Sequence, residues 1–291
     1  MAVLGEGIAH GAISILHAAG IGYGCSIAID LNMTVRILDR VPRNPIDDPD
    51  GVLENVQKVW KEAGHETPDE LHWVVRSEIP PQRGLKSSSA LCIAAFRALC
   101  DATKLELEIH ELVDMAAQAQ ISAGVSITGS KDDSWACATP GWKLVDPNLP
   151  AAEGVLAEGD GPNSEDFVVL INPRNERLDR PKPEDFTFHQ QAFIHSLDAI
   201  QAGNPLVALT WNGRAMAGVL NDGEGRRLAN DGFVNGVRAA GISGSGPAIV
   251  FIVSKSTETI VDRILKLHNA KNKDIEMIQT TFLHSVEQSE D

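Results

Sequence analysis

Ile79-Pro80-Pro81-Gln82-Arg83-Gly84-Leu85-Lys86-Ser87-Ser88-Ser89-Ala90 is the stretch on which the reading of the fold turns. It follows a strand-like run at 71–75 and enters an apolar helical pattern through Leu91, Ala95 and Leu99, so it reads as strand, loop, helix N-terminus. Gly84 permits a backbone turn that other residues resist. Three serines then open the helix, where the first N–H groups lack partners within the helix and the dipole adds roughly half a positive charge. Together these features make a cradle for an anion, and serine hydroxyls can bond phosphate or ligate Mg²⁺. Serines at a helix start are also ordinary N-caps, so composition alone leaves both readings open.

Outward from this stretch, residues 25–38 are β-rich with an expected break at Asp30, and Val52, Val56, Val59 and Trp60 mark an amphipathic helix. A further helix is expected over 108–123, with Leu112, Met115, Ala116 and Ala119 on one side, and then a Gly- and Asp-containing loop over 124–133. Pro147, Pro150, Gly154, Gly159, Gly161 and Pro162 form the expected linker, which places a domain boundary near residue 155 and gives domains 1–155 and 156–291. Beyond it come a strand at 167–171 and helices around 189–201, 205–221 and 225–239. A glycine-rich loop at 241–247 leads to a strand at 248–253, another helix and a final strand near 275–283. Strands and helices mixed in both halves predict an α+β fold, with helices packed on mixed sheets, and no internal repeat or heptad run offers an alternative.

The 291 residues, 43% hydrophobic and 22% charged, suffice for one large or two modest cores. No apolar stretch approaches the roughly 20 residues that span a bilayer, and the start, MAVLGEGIAHGAI, lacks a basic segment followed by an apolar core, so a cytoplasmic location is expected. A formal charge of −15 argues against nucleic acid and anionic membranes as partners. Cys25, Cys92, Cys100 and Cys137 form no C-x-x-C pair and no zinc-ligand spacing with histidines, and they read as reduced, mostly buried thiols.

The 80–90 segment resembles the P-x-x-x-G-L-x-S-S-A signature of the GHMP kinases, with Pro81, Gly84, Leu85, Ser87, Ser88 and Ser89 filling the pattern. Lys86, and a third serine in the alanine slot, resemble the G-L-K-S-S-S-A version found in archaeal shikimate kinases. Two further stretches match in order. Gly11-Ala12-Ile13-Ser14-Ile15-Leu16-His17-Ala18 with the residues after it looks like the N-terminal motif, and the 241–247 loop like the third, glycine-rich motif. The resemblance therefore implies a two-domain fold with the active site between the domains, and ATP-dependent phosphorylation of the 3-hydroxyl of shikimate with Mg²⁺. Carried over residue by residue, it makes Pro81, Gln82, Arg83, Gly84, Leu85, Lys86, Ser87, Ser88, Ser89, Ala90, Gly244, Ser245 and Gly246 the ATP and phosphate contacts. Ser88 becomes the metal ligand, and Ser14 and His17 substrate contacts. The implied partners are small molecules only, with the chain a monomer or homodimer.

A kinase acting on an alcohol needs a carboxylate near the hydroxyl. Thr128-Gly129-Ser130-Lys131-Asp132-Asp133 supplies two, and Asp132 is the first choice because it falls where the family motif S-G-x-D-N places its catalytic residue, with Asp133 assisting. Lys86 and Lys131 are the cations nearest the phosphates in sequence, and Lys86 joins the catalytic set. The acidic metal ligand that mevalonate kinase carries about ten residues earlier has no counterpart, since Gln118, Gln120, Ile121 and Ser122 occupy the nearest positions. Arg174, Arg177 and Arg180 are read as candidates for a substrate carboxylate, with Arg174 and Arg177 foremost, or else as a salt-bridged turn. Homoserine or mevalonate as substrate, and a non-catalytic ligand sensor on the same scaffold, are the alternatives. A dinucleotide-binding oxidoreductase is disfavoured, because no G-x-G-x-x-G follows the first strand.

Overall fold

A computed structural model describes residues 2–126, 128–175, 181–271 and 274–284. The chain opens with β1 (Val3–Leu16), a short helix α1 (Ala18–Ile21) and β2 (Gly24–Leu38), and β1 and β2 pair antiparallel along their length. β2 does not break at Asp30. The pairing steps from His10↔Asn32 to Gly11↔Ile29, so Asp30 and Leu31 are two extra residues on β2, forming a bulge. The bulge frees the Asp30 backbone for a distant partner: its N–H donates to Thr281 O at 2.9 Å, and Thr280 Oγ1 donates to Asp30 O at 2.7 Å.

Helix α2 (Val52–Glu62) begins where Asp48 accepts from the backbone N–H groups of Val52 and Leu53, and it turns Val52, Val56, Val59 and Trp60 into the core. Strand β3 (His72–Ser77) pairs with the far end of β2, and α3 (Ser87–Thr103) lies across β1 and β2. Helices α4 (Ile109–Ser122) and α5 (Lys131–Ala138) follow, then β4 (Trp142–Val145) and β5 (Val155–Gly159). β4 pairs with the near end of β2 and β5 with β4, which completes a five-stranded sheet. The expected boundary near residue 155 thus falls at the start of a strand of the first sheet, and strand pairing changes over only after Gly159.

The second sheet, in the order β7-β8-β6-β9, consists of β6 (Phe167–Asn172), β7 (Ala239–Ile242), β8 (Ile249–Ser254) and β9 (Ile278–Thr280), all antiparallel. Helices α6 (Pro183–Thr187), α7 (Gln190–Gln201), α8 (Pro205–Val219), α9 (Gly223–Val234) and α10 (Glu258–Lys271) accompany it. The helix expected over 225–239 ends at Val234, because Gly236 takes a φ of 99° and the chain then enters β7. Gly241 and Ile242, expected in a loop, pair with Val250 and Ile249, so β7 and β8 form a hairpin around the 243–248 turn. Helix α8 contacts both β7 and β1. One apolar core, including Phe96, Trp60, Phe186, Phe193 and Phe282, continues through both sheets. Cys25, Cys92 and Cys137 are buried, Cys100 is half-buried, and all four are free.

Candidate active site

The 78–86 loop delivers α3 to the centre of the molecule. Gly84 and Lys86 both adopt left-handed conformations, with φ of 81° and 67°, and Lys86 occupies the N-cap position. A side chain at Gly84 would place its Cβ 2.1 Å from Ser243 O, and one at Gly246 would come 2.2 Å from Gly84 N, so two glycine backbones meet where any other residue would hold them apart. Three bonds fix this meeting: Ser243 Oγ donates to Gly84 O at 2.7 Å, Ala248 N to Arg83 O at 3.2 Å, and Ser14 N to Ser243 Oγ at 3.2 Å. The N–H groups at the first turn of α3 and the 243–246 turn thus form two walls of one cleft.

That cleft has a volume of about 360 Å³. Ser14, His17, Gln82, Gly84, Lys86, Ser87, Ser88, Ser89, Asp132, Asp133, Ser245 and Gly246 line it. Ser87 and Ser88 are half-buried at its wall, whereas Ser89 turns inward and donates to Gln120 Oε1 at 2.9 Å. Leu85 and Ala90 are buried supports, Pro81 is exposed beside the loop, and Gly244 packs near the Lys86 ammonium. Of the expected loop at 124–133, the last three residues are helical, which places Asp132 and Asp133 in the first turn of α5, where the helix dipole favours negative charge.

The two carboxyls differ sharply. Asp133 Oδ1 lies 2.9 Å from Lys86 Nζ and accepts from Ser26 Oγ at 2.7 Å. Burial raises its pKa, but the Lys86 charge and these hydrogen bonds outweigh burial and leave it below the ordinary carboxylate value. Asp132 is 5% exposed and packs on the bare backbone of Gly24, where an added Cβ would stand 2.5 Å from its carboxyl carbon. Burial first, and the neighbouring Asp133 charge second, push its pKa well above the ordinary value. Ser26 Oγ lies within donating distance of both carboxyls, 2.7 Å from Asp133 Oδ1 and 3.3 Å from Asp132 Oδ2, and its single proton favours the nearer, Asp133.

His17 caps α1 with Nδ1 accepting from Ala19 N at 3.2 Å, and its ring rests on Phe186 at 4.9 Å between centroids. Burial, then the Lys86 charge, lower its pKa to about 4, so the ring is neutral and its proton sits on Nε2. Asn212 of α8 fixes this corner by accepting from His17 N at 2.9 Å and donating to Ser14 O at 3.1 Å.

Other expected residues lie elsewhere. Lys131 is absent from the cleft wall; it pairs with Asp114 at 3.1 Å and donates to Leu149 O. Arg174 is also absent from the wall: its guanidinium is bound to Asp222 and to Pro247 O, which corrects its assignment as a free contact for a substrate carboxylate. Arg177 and Arg180 lie outside the described residues. Sequence reasoning missed Ser26, Asn212, Ser243 and Asp50, the last an acid on the cleft wall. Ser26 and Asn212 lie in apolar runs, so nothing local marks them as polar partners for groups 107 and 195 residues away.

Among the described residues no three His, Cys, Asp or Glu side chains gather into a metal site. The oxygen donors at the cleft, Ser88 with Asp132, Asp133 and Asp50, suit a hard cation held mainly by substrate phosphates, not one caged by protein alone.

A family model described as GHMP kinases N terminal domain matches residues 51–141. The shikimate kinase of Pyrococcus abyssi is 31% identical over 267 residues, covering 88% of this chain and 94% of that protein. The shikimate kinase of Methanothrix thermoacetophila is 30% identical over 268 residues, covering 86% of this chain and 85% of that protein. The chain belongs to the GHMP kinases. The fold agrees: the crystal structure of Methanococcus jannaschii mevalonate kinase superposes with a TM-score of 0.72 at 16% identity, over 96% of this chain and 98% of that one. In this GHMP kinase the lysine facing the carboxyl pair comes from the phosphate loop itself, at Lys86.

Proposed function

We propose that the chain transfers the γ-phosphoryl group of ATP to the 3-hydroxyl of shikimate. The observation that carries this reading is the Lys86–Asp133–Ser26 cluster, which faces the free N–H groups of α3 across a serine-lined cleft. The shikimate kinases at 30% and 31% identity support the choice of acceptor.

Residues 84–89 and the 244–246 turn bind the nucleotide phosphates through backbone N–H groups and hydroxyls, which suits a chain whose overall charge repels anions. Asp133, ionised beside Lys86, orients the acceptor hydroxyl and takes its proton as that oxygen bonds to the γ-phosphorus and the bond to the β–γ bridging oxygen breaks. Asp133, and not Asp132, thus takes the leading role. Burial and the Asp133 charge raise the pKa of Asp132, which disfavours a second negative charge in the site. Lys86 stabilises charge on the transferred group. Ser88 would hold Mg²⁺ together with the nucleotide phosphates, and the ion would supply charge neutralisation there. His17 Nε2 and the Ser14 hydroxyl offer hydrogen bonds to the acceptor. We assign this activity to the cytoplasm.

The direct test supplies purified protein with Mg²⁺-ATP and, separately, shikimate, homoserine and mevalonate, and follows ADP release. Shikimate is expected to give turnover well above the other two, because a site of paired polar groups rejects acceptors that leave those groups unmatched. Turnover with homoserine or mevalonate and none with shikimate would overturn the assignment of the acceptor.

A further inference from the structure

Arg174 stands just beyond β6 with a φ of 50°, in the left-handed region that is unfavourable for a residue with a side chain. Such backbone persists where the surroundings over-determine it. Here they do. The Arg174 N–H donates to Asn172 Oδ1 at 3.1 Å, and all three guanidinium nitrogens are engaged: Nη1 with Asp222 Oδ1 at 3.1 Å, Nη2 with Asp222 Oδ2, and Nε with Pro247 O at 2.5 Å. The side chains of this fork-to-carboxylate pair are 13% and 8% exposed. Asp222 is itself the cap of α9, accepting from Gly225 N at 2.8 Å. A single guanidinium therefore joins the end of β6, the start of α9 and the 243–248 turn.

Pro247 is the last residue of that turn before Ala248, whose N–H bonds Arg83 O, and Gly246, one residue earlier, rests on Gly84 with no room to spare. Arg174 lies outside the cleft wall, whereas Ser245 and Gly246 belong to it. A shift of Pro247 would pass directly into the wall that faces the phosphates.

We propose that Arg174 is a positioning residue for the donor nucleotide: anchored on Asp222, it holds the 243–248 turn against the Gly84 loop and so sets the shape of the phosphate cradle. The inference rests on the reading of this cleft as a nucleotide site. It does not depend on which alcohol accepts the phosphoryl group. Arg174→Lys keeps a positive charge for Asp222, but one ammonium cannot reproduce the fork and also reach Pro247 O.

The test titrates Mg²⁺-ATP onto wild type, Arg174→Lys, Asp222→Asn and the double variant, with thermal melting as the check of folding, and then measures steady-state kinetics with shikimate. In Arg174→Lys, the nucleotide Kd and the KM for ATP are expected to rise together by about tenfold or more, while the KM for shikimate stays within about twofold. Asp222→Asn, which keeps an oxygen for the α9 cap, is expected to shift the nucleotide Kd in the same direction by less. The double variant should show less than the product of the two effects, because both act through one strut. A folded Arg174→Lys that binds nucleotide within about twofold of wild type, or an equal loss of affinity for both substrates, would overturn the proposal. If Arg174→Lys does not fold, Asp222→Asn decides by the same criterion. A wild-type protein that binds no nucleotide would instead overturn the reading of the cleft.

Discussion

Asp132 and Asp133 are adjacent in sequence, begin the same helix and share one hydroxyl, yet burial on Gly24 and contact with Lys86 drive their protonation apart. Asp133→Asn removes the charge that faces Lys86, and turnover is expected to fall by about two to four orders of magnitude with nucleotide binding retained. Asp132→Asn replaces a neutral group by another of the same shape and should leave turnover within about tenfold, as steady-state assays of the two variants would show. His17 gives a second consequence. Its pKa falls from 6.5 to about 4 on folding, so the unfolded chain binds more protons than the folded one between these values. Stability from this residue is complete above pH 6.5 and is lost as the pH falls toward 4. Asp132, with its raised pKa, contributes with the opposite sign across part of the same window. The difference between wild type and His17→Asn in denaturant titrations at several pH values isolates the histidine: the variant should show the weaker loss on acidification.

At the scale of elements, the site is held by buried polar links between helices. Gln120 of α4 accepts from Ser89 of α3 at 2.9 Å and donates to Ser134 of α5 at 3.2 Å and to Ala116 O at 3.3 Å, so one amide ties the phosphate helix to the carboxylate helix. Gln120→Leu would leave the buried hydroxyls of Ser89 and Ser134 without this partner, at about 1–3 kcal/mol for each group orphaned. Chemical denaturation should record that loss, and a stability within about 0.5 kcal/mol of wild type would show that the link contributes little. The elements themselves were largely legible in the chain. The apolar periods of α2, α3, α4, α7 and α8 and the runs of β6 and β8 follow from side chains that must be buried. What escaped notice was set by distant partners. Helix α5 begins in a stretch of Gly, Ser and Asp, which favours turns, and becomes helical because Ala136, Cys137 and Ala138 pack inward. Arg174 looked like a free cation because its anchor, Asp222, lies 48 residues on. The phosphate loop was readable because its chemistry is contiguous: a left-handed glycine, then serines opening a helix.

Across the whole molecule, the two sheets are joined by α8 and by the return of the chain end to β2, where Ile29 and Phe282 form an isolated bridge. Phe282 is 2% exposed within the common core. Phe282→Ala is expected to destabilise the protein by about 3–5 kcal/mol through the cavity it leaves. Because the core is continuous, a single unfolding transition for the variant, at lower denaturant, is the expected record; a separate early transition of the second sheet alone would contradict such coupling.

The bulge at Asp30 also bears on how the protein is made. Its carbonyl and amide wait for Thr280 and Thr281, and 250 residues separate Asp30 from Thr280. At translation rates of about 5–20 residues per second, β2 spends on the order of 10–50 s outside the ribosome before those partners exist. During that interval the bulge presents unpaired backbone groups, and such groups are what other nascent chains adhere to. Synthesis of the first 159 residues therefore yields the five strands of one sheet but leaves a gap on β2 between β3 and β4, and chaperone occupancy or protease sensitivity of stalled chains should persist until the codons for 280 and 281 have been read and their residues have cleared the exit tunnel.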